Sequence, residues 1–364
     1  MRAVVLGGYG NFGARICRAL AGHPALEVIA AGRRPRAAAA DTGIRGAHLD
    51  LAAGNFSNEL KSFAPGIVIH CVGPFQGQDY RVAAAALDAG AHYIDIADGR
   101  AFVAGFAARM DGSARAAGRL AVSGASTLPA LSCAVIDDLA GRFRSIDEIQ
   151  ISIAPGQRAP RGAATIAAVF SYAGRSFKWR SGGAWSDAWG WQELRRVRFA
   201  GAGTRLAAAC DVPDLELAPA RYAGVRTVQF RAALELAVQH VAIWLAAALR
   251  RGGIPLPLER WAGALDRVAR LLDIFGSDCG GMLVQLTGTR ADGSRGRVEW
   301  HLTARENHGP EIPCMAAILL ARGLAAGTVA ARGAFPCVGL LTLPQFEPEF
   351  ARWRITTLGE ESAA

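Results

Sequence analysis

One short segment constrains the fold of this chain more than any other. An apolar run, Val4-Val5-Leu6, ends in a glycine-rich turn, and a helix-like stretch from Ala14 to Leu20 follows. The turn places glycines in all three slots of G-x-G-x-x-G, where they make the tight turn, admit a pyrophosphate to the backbone, and let helix and strand pack closely. The pattern predicts a dinucleotide site at Gly8, Tyr9, Gly10, Asn11, Phe12 and Gly13. A glycine-rich turn with no ligand is the alternative.

The second apolar run, residues 27–31, ends in Gly32-Arg33-Arg34-Pro35. Folds that bind NAD usually place an acidic residue there, about 20 residues after the glycines, to hold the ribose 2′-hydroxyl. Arginine forks instead match a 2′-phosphate in charge and shape, so Arg33 and Arg34 favour NADP over NAD. The alternative is that both arginines are solvated charges on the surface with no ligand. Asp50 ends the third run, where it either lies near an adenine ring or caps the next turn.

The first third of the chain alternates between apolar runs and helical stretches. The runs fall at residues 2–6, 27–31, 45–51, 66–72, 92–97 and 119–123. This alternation is typical of an α/β fold in which helices cover both faces of a doubly wound, Rossmann-type parallel sheet.

From residue 126 the pattern changes. A long helix is predicted over 127–143, alternating strands over 146–153, 281–289 and 297–305, and amphipathic helices over 233–250 and 257–274. Asp292-Gly293 predicts a hairpin turn between the last two strands.

We expect residues 126–311 to form an inserted α+β domain with a mainly antiparallel sheet, used for substrate binding and dimerisation. Residues 1–125 and 312–364, with a helix over Ile312–Leu324, form the dinucleotide-binding domain. The sheet's apolar face predicts pairing with a second copy, hence a homodimer.

Composition limits the partners. The 364 residues carry a net charge of +9, but the arginines are dispersed and no nucleic-acid motif accompanies them, so no nucleic-acid partner is expected. The apolar stretch Leu234–Leu249 is short and contains Glu235, which favours a buried or oligomer-interface helix over an integral membrane segment. The seven cysteines show no metal-ligand spacing, which predicts reduced thiols in a cytoplasmic protein and no metal site.

Two loops are candidates for the reacting half of the site, because ligands bind at the carboxyl ends of the strands in such sheets. The loop after the fourth run contributes Val72, Gly73, Pro74 and Phe75 to cofactor binding, with Gln76 and Gln78 as hydrogen-bond donors. A rigid structural loop is the alternative. The fifth run ends near Asp95 and Asp98, candidate catalytic residues that bind substrate or move a proton; helix capping and pairing with Arg100 are the alternative.

Three other features have either a functional or a structural explanation. The tryptophans of 179–191 line either an apolar substrate pocket or the core or an interface, with packing favoured. His301 is expected to be a satisfied structural histidine on a strand. Lys178 would serve as a base only if it were desolvated.

Four segments together resemble the saccharopine dehydrogenase (reductase-type) family. They are residues 7–13, Cys71-Val72-Gly73-Pro74-Phe75, residues 89–95 and Ser123-Gly124-Ala125-Ser126-Thr127-Leu128-Pro129-Ala130-Leu131-Ser132. The resemblance implies an NAD(P)-binding domain interrupted by an α+β domain. The saccharopine enzymes carry Asp-Pro-Gly after the sixth strand, where this chain has Leu128-Pro129-Ala130. The chain therefore resembles family members of unassigned substrate, including enoyl-reductase-like relatives, and the resemblance does not identify a substrate.

These observations predict an NADP-dependent oxidoreductase that acts on a C=N, C–N or C=C bond of a small molecule. A non-catalytic nucleotide-binding scaffold or sensor is the alternative, since no obvious acid–base pair is present. Substrate, reaction direction and general base are not fixed by the sequence.

Overall fold

The computed structural model describes residues 1–35, 43–161 and 163–363. They form two compact units, Met1–Leu131 with Glu311–Leu341, and Ser132–Pro310 with Thr342–Ala364. The strands are β1 (Arg2–Leu6), β2 (Glu27–Gly32), β3 (Ile44–His48), β4 (Ile67–His70), β5 (His92–Asp95), β6 (Leu120–Ser123), β7 (Ser145–Ala154), β8 (Ser176–Ser181), β9 (Ala184–Trp189), β10 (Arg195–Phe199), β11 (Gly203–Ala209), β12 (Thr227–Ala233), β13 (Gly280–Thr289), β14 (Arg295–Ala304), β15 (Gly333–Pro336) and β16 (Thr356–Ala363). The helices are α1 (Gly13–Ala21), α2 (Phe56–Ser62), α3 (Arg81–Asp88), α4 (Arg100–Ala116), α5 (Ser132–Ala140), α6 (Ala163–Tyr172), α7 (Asp214–Arg221), α8 (Ala237–Arg251), α9 (Leu258–Leu271), α10 (Ile312–Ala325) and α11 (Leu343–Arg352).

The first unit is built on a parallel sheet of seven strands in the order β15-β6-β5-β4-β1-β2-β3. Strands β4, β5 and β6 are buried along their whole length, as expected where helices cover both faces of a parallel sheet. Strand β1 pairs with β2 on one side and with β4 on the other, so the strand order reverses there. The predicted Rossmann-type fold class is confirmed.

The second unit is built on a mixed sheet whose main path is β10-β11-β12-β7-β13-β14-β16, with β8 and β9 attached at β12. Among these pairs β12 and β7 run parallel, and the others are antiparallel. The predicted hairpin is present, because β13 and β14 pair along their length around Asp292-Gly293. Gly293 adopts a positive φ of 86°, which the turn requires and a glycine adopts without strain.

The end of the chain departs from the expected domain boundary. Residues 342–364 were assigned to the first domain, but they lie in the second unit. There β16 pairs with β14, Thr356 opposite Thr303, and Phe350 of α11 lies 6.4 Å from the Trp300 ring. Strand β16 is almost wholly exposed and lacks apolar alternation, so its sequence carries no signal for a strand.

Helix α10 packs in the first unit, as expected for Ile312–Leu324. The Arg322 guanidinium donates to the Ala19 carbonyl of α1 at 3.0 Å, and the Cys314 thiol donates to the Phe12 carbonyl at 3.6 Å. Parallel strand β15 follows at the edge of the sheet, beside β6. The chain therefore returns to the first unit only for residues 311–341.

The single helix expected over 127–143 is divided. Thr127–Leu131 forms one π-helical turn in which Leu128 is extended, at φ −118° and ψ 122°, and α5 starts at Ser132. The Leu128–Pro129 peptide bond is cis, and Pro129 has no backbone N–H to donate within a helix.

The apolar face of the second sheet is covered within the single chain. Val284, Val298 and Leu302, on adjacent strands of this face, are each 0–1% exposed. A second copy is therefore not needed to shield this face, so the reason given for dimerisation through it does not hold. Self-association itself stays a prediction.

Two further findings concern membranes and thiols. Among the described residues, no helix is both long enough and apolar enough to cross a membrane. None of the seven cysteines forms a disulfide, and Cys71 is the only one that is not fully buried.

Candidate dinucleotide-binding site

The glycine turn after β1 brings a helix end very close to a strand end. The Gly7 N–H donates to the Ala31 carbonyl of β2 at 2.9 Å, and the Gly10 N–H donates to the Gly7 carbonyl at 2.8 Å. A Cβ atom at Gly13 would lie 2.2 Å from the Gly7 carbonyl oxygen. A Cβ atom at Gly8 would lie 2.8 Å from the Ala30 Cβ. Both glycines are therefore required by packing inside the protein.

Gly10 differs from the other two glycines. A Cβ atom there would meet only the Gly7 carbonyl oxygen among the described atoms within 4 Å, at 3.2 Å. A side chain at this position would thus project away from the core, over the turn that leads into α1. This is the arrangement expected where a backbone must come close to a pyrophosphate.

The first turn of α1 is suited to an anion. The helix starts at Gly13 after Phe12, and no side chain among the described residues caps it. The N–H groups of a helix's first turn carry partial positive charge and bind phosphates. Arg15 fixes this turn, because its guanidinium donates to the carbonyl and side-chain oxygens of Asn11, both at 2.6 Å. It also donates to the Glu311 carboxylate at 2.8 Å.

The end of β2 carries no acidic side chain. Arg33 and Arg34 follow Gly32 and are both exposed. The Tyr9 ring lies over this strand end, since a Cβ atom built on Gly32 would be 3.2 Å from it. The Tyr9 hydroxyl is buried and has no hydrogen-bond partner among the described residues. The Asp50 carboxylate accepts the Ala52 N–H at 3.0 Å, which is the capping role that was its alternative.

The loop after β4 is held by its own side chains. The Gln78 amide donates to the carbonyls of Val72 at 2.8 Å and Pro74 at 2.6 Å, so it shapes the loop. Phe75 was expected to contribute to cofactor binding, but its ring is 3% exposed and packs 5.0 Å from the His70 ring. Only its backbone is available to a ligand. Gly73 and Pro74, earlier in the loop, are joined by a cis peptide bond.

Asp95 is a junction between strands. Its Oδ1 accepts the Gly124 N–H at 2.8 Å, the Ala97 N–H at 3.0 Å and the Ser123 hydroxyl at 3.0 Å. Complete burial raises the pKa of this carboxyl to about 6, although these hydrogen bonds oppose the shift. The contacts tie β5 to β6 and favour a structural role over the expected catalytic one.

His70, which the sequence reasoning did not single out, adjoins this junction. Its Nδ1 lies 3.1 Å from the Tyr93 hydroxyl, and burial lowers its pKa to about 3. The imidazole is therefore neutral at physiological pH. His70 ends the apolar run of β4, and nothing else in the sequence pointed to a role for it.

Asp98 sits in a different environment from Asp95. It is partly accessible, and its Oδ1 accepts the Gln76 amide at 3.3 Å. Burial raises the pKa of this carboxyl, the direction that general acid–base chemistry requires. The structure thus brings together two sequence-predicted residues, Gln76 and Asp98, from the loops after β4 and β5.

Candidates in the second unit have structural explanations. Lys178 pairs with Asp187 at 3.0 Å and both side chains are well exposed, so it is not a desolvated base. His301 is 1% exposed; its Nδ1 accepts the Ala200 N–H at 3.3 Å and its Nε2 lies 3.4 Å from Glu299.

A metal at His301 is disfavoured, although Glu299, His301 and Glu360 place ligand atoms within 4.8 Å of one another. Glu360 is already paired with Arg198. Because the His301 Nδ1 accepts a backbone N–H, the neutral imidazole carries its proton on Nε2, the atom that would have to bind the metal.

Arg231 is a buried cation that the sequence reasoning missed. It is 3% exposed, donates to Gln229 at 3.1 Å and lies 5.1 Å from the centre of the Trp179 ring. Its Nε has no partner among the described residues. Such a guanidinium suits a carboxylate or phosphate ligand. The sequence gave no signal for it, because the chain has many arginines and no motif marks this one.

The comparisons with known proteins agree with this geometry. Residues 3–122 match the family model described as the saccharopine dehydrogenase NADP binding domain. This stretch of the chain is therefore similar to that domain. The family resemblance expected from the motifs is thereby confirmed, and the match supports an oxidoreductase that uses a nicotinamide dinucleotide. No curated protein sequence matches the chain.

Solved structures show the same fold at low sequence identity. Saccharopine dehydrogenase (L-Glu forming) from Saccharomyces cerevisiae matches with a TM-score of 0.69 and 11% identity, covering 100% of both chains. Homospermidine synthase from Legionella pneumophila, solved with NAD, matches with a TM-score of 0.63 and 11% identity, covering 99% of this chain and 91% of the other.

The glycine geometry predicts two different defects. Gly10→Val should fold normally but weaken NADPH binding by about tenfold or more, because the new side chain projects to where the ligand approaches. Gly13→Ala should lower the melting temperature sharply, because its Cβ would overlap the Gly7 carbonyl oxygen. Calorimetry measures the NADPH affinity, and thermal unfolding measures the melting temperature. Gly112→Ala, which has open space around it, is the control. Unchanged NADPH affinity in Gly10→Val would contradict the assignment.

The raised pKa of Asp95 predicts a pH-dependent stability difference. The folded state favours the protonated carboxyl, so this stabilisation is complete below the unfolded pKa and is lost as the pH rises through about 6. Between pH 4 and pH 7, wild type should lose about 2–3 kcal/mol more unfolding free energy than Asp95→Asn. Denaturant titrations at both pH values measure this, with exposed Asp88→Asn as the control. Parallel pH profiles for wild type and Asp95→Asn would show that the carboxyl titrates normally.

Proposed function

We propose that this protein is an oxidoreductase that uses NADP for hydride transfer to or from a C=N, C–N or C=C bond of a small molecule. The observation that carries the proposal is the open position at Gly10, between two glycines that internal packing requires. It lies at the carboxyl end of β1, beside the point where the strand order reverses, which is where dinucleotides bind in such sheets. The nicotinamide, when bound, supplies the hydride chemistry.

The preference for NADP rests on the end of β2. Arg33 and Arg34 are exposed where NAD-selective folds carry an acid. Two guanidinium groups would attract and orient a 2′-phosphate, whereas the ribose hydroxyl of NAD would lack its usual carboxylate partner. The Tyr9 ring, lying over Gly32, gives this strand end an aromatic surface beside the two charges.

Asp98 is the residue we assign to proton transfer. It lies at the carboxyl rim with Gln76, is partly accessible, and has a pKa raised by burial. Its carboxyl can hold a proton for a substrate nitrogen or carbon, and Gln76 orients it. Asp95, fixed by three donors, would support the loop that carries Asp98.

Cofactor choice is tested by removing both arginines. Wild type should bind NADPH more tightly than NADH, and the Arg33→Ala, Arg34→Ala double variant should lose most of that difference. A charge-assisted hydrogen bond contributes about 1.5–3 kcal/mol, so the preference should fall by about tenfold or more. The matched control removes exposed Arg260 and Arg267 of the second unit. Equal affinity of wild type for both nucleotides would contradict the proposal.

Asp98→Asn tests the chemistry separately from binding. NADPH affinity should remain unchanged while turnover falls by about 10²–10⁴-fold, the usual contribution of a general acid or base. Turnover is followed by NADPH oxidation over a panel of imines, carbonyl–amine mixtures and α,β-unsaturated carbonyls, with Asp88→Asn as the control. A wild-type protein that binds NADPH but oxidises it with none of these substrates would favour the scaffold or sensor function.

A further inference from the structure

A large apolar surface lies on the second unit. The α8–α9 surface is the outward side of α8, of α9 and of the turn Asp273–Phe275. Leu271, Ile274 and Phe275 are 73%, 74% and 71% exposed, and Val238 at the other end is 66% exposed. The sequence of the α8 stretch predicts a helix that is buried or in an interface. Contiguous apolar surfaces of this kind mark contacts with another molecule or with a membrane.

The orientation of this surface is fixed by hydrogen bonds on its inner side. The Gln157 amide donates to the Ala269 carbonyl at 3.0 Å and to the Asp273 carboxylate at 2.8 Å. Arg161 pairs with the same carboxylate at 2.8 Å, and Gln239 links α8 to the Ala269 carbonyl at 3.3 Å. These bonds hold one side of the helices against the body of the unit, and the exposed apolar side chains lie on the opposite side.

The charges on this surface are separated by sign. Residues 237–249 of α8 contain no Asp, Glu, Lys or Arg. On α9 the exposed charged side chains that the structure describes are arginines, at 260, 267 and 270. The carboxylates of Asp266 and Asp273 both lie within 4.0 Å of Arg161. Asp266 also pairs with Arg270 at 2.7 Å, which leaves Arg260 and Arg267 as the exposed cations without a described carboxylate. Apolar side chains thus alternate with cations on the outer side.

We propose that the α8–α9 surface rests on an anionic lipid membrane. Helices that lie in the membrane interface combine a strong apolar face with arginines or lysines and low overall hydrophobicity. Exposed Trp261 has the aromatic character that is favoured at the headgroup level. Since no described helix can cross a membrane, the contact is with one leaflet.

A second copy of this chain fits the surface less well. Dimers close about a two-fold axis, so the same surface of both copies would meet. The arginines of one α9 would then approach those of the other, and like charges oppose association. Anionic phospholipid headgroups instead provide the complementary charge, and their acyl chains receive the exposed leucine, isoleucine and phenylalanine side chains.

Vesicle flotation of the full chain tests the proposal. Wild type should float with phosphatidylcholine vesicles that contain about 30% phosphatidylglycerol, and much less with phosphatidylcholine alone or at about 1 M salt. Ile274→Ser with Phe275→Ser should lower the bound fraction by about tenfold. Arg260→Glu with Arg267→Glu should remove the preference for the anionic lipid. Exposed Leu358→Ser on β16 should float like wild type.

Circular dichroism and NADPH binding verify that each variant is folded. Two results would overturn the proposal. One is wild type that stays at the bottom of the gradient with anionic vesicles. The other is a stable dimer, seen by sedimentation, that the Ile274→Ser, Phe275→Ser pair dissociates, because a second copy would then cover the surface.

Discussion

The close approach of α1 to the carbonyl of Gly7 is the constraint on which the candidate site depends. Only a residue without Cβ can occupy position 13, where the gap to that oxygen would be 2.2 Å. This contact sets the first turn of α1 directly over the end of β1. Arg15 and Glu311 then brace the turn from the side of α10. The positively polarised end of a helix is thereby held at the strand where the sheet order reverses, and an anion can approach it.

The polar residues at and after the ends of β4 and β5 have two kinds of role: some hold the strands together, and others are available to a substrate. His70 and Asp95 are both buried, and each has a pKa shifted toward its neutral form. They hold β4, β5 and β6 together through Tyr93, Ser123 and backbone N–H groups. Asp98, only three residues beyond Asp95, is partly accessible to solvent and accepts a hydrogen bond from the Gln76 amide. The two aspartates therefore differ in their hydrogen-bond partners and in their access to solvent, not in residue type.

The first sheet was predictable because its signals are local. Strands β1, β2, β4, β5 and β6 are short apolar runs that end in a turn, and their order follows the chain apart from the reversal between β1 and β4. The edge strand β15, which pairs with β6 from far along the chain, carries no such signal. The glycine roles and the arginines after β2 also follow from positions close in sequence. The role of Asp95 was not predictable, because its donors Ser123 and Gly124 lie nearly thirty residues away.

The second unit was predictable only in outline. The β13–β14 hairpin carries its own turn signal, but the parallel pairing of β12 with β7 and the addition of β16 beside β14 depend on distant contacts. Periodicity located α8 and α9 within a few residues. It could not show that their apolar sides face outward, because an amphipathic pattern is the same whether its apolar side meets a core or another surface.

A crystal structure of the chain grown with NADPH is the most direct test of the central claim. We expect the pyrophosphate against the Gly10 backbone and the first turn of α1, with the 2′-phosphate beside Arg33 and Arg34. Clear density for the nucleotide away from the Gly7–Gly13 turn, or none there with NADPH in excess, would contradict it.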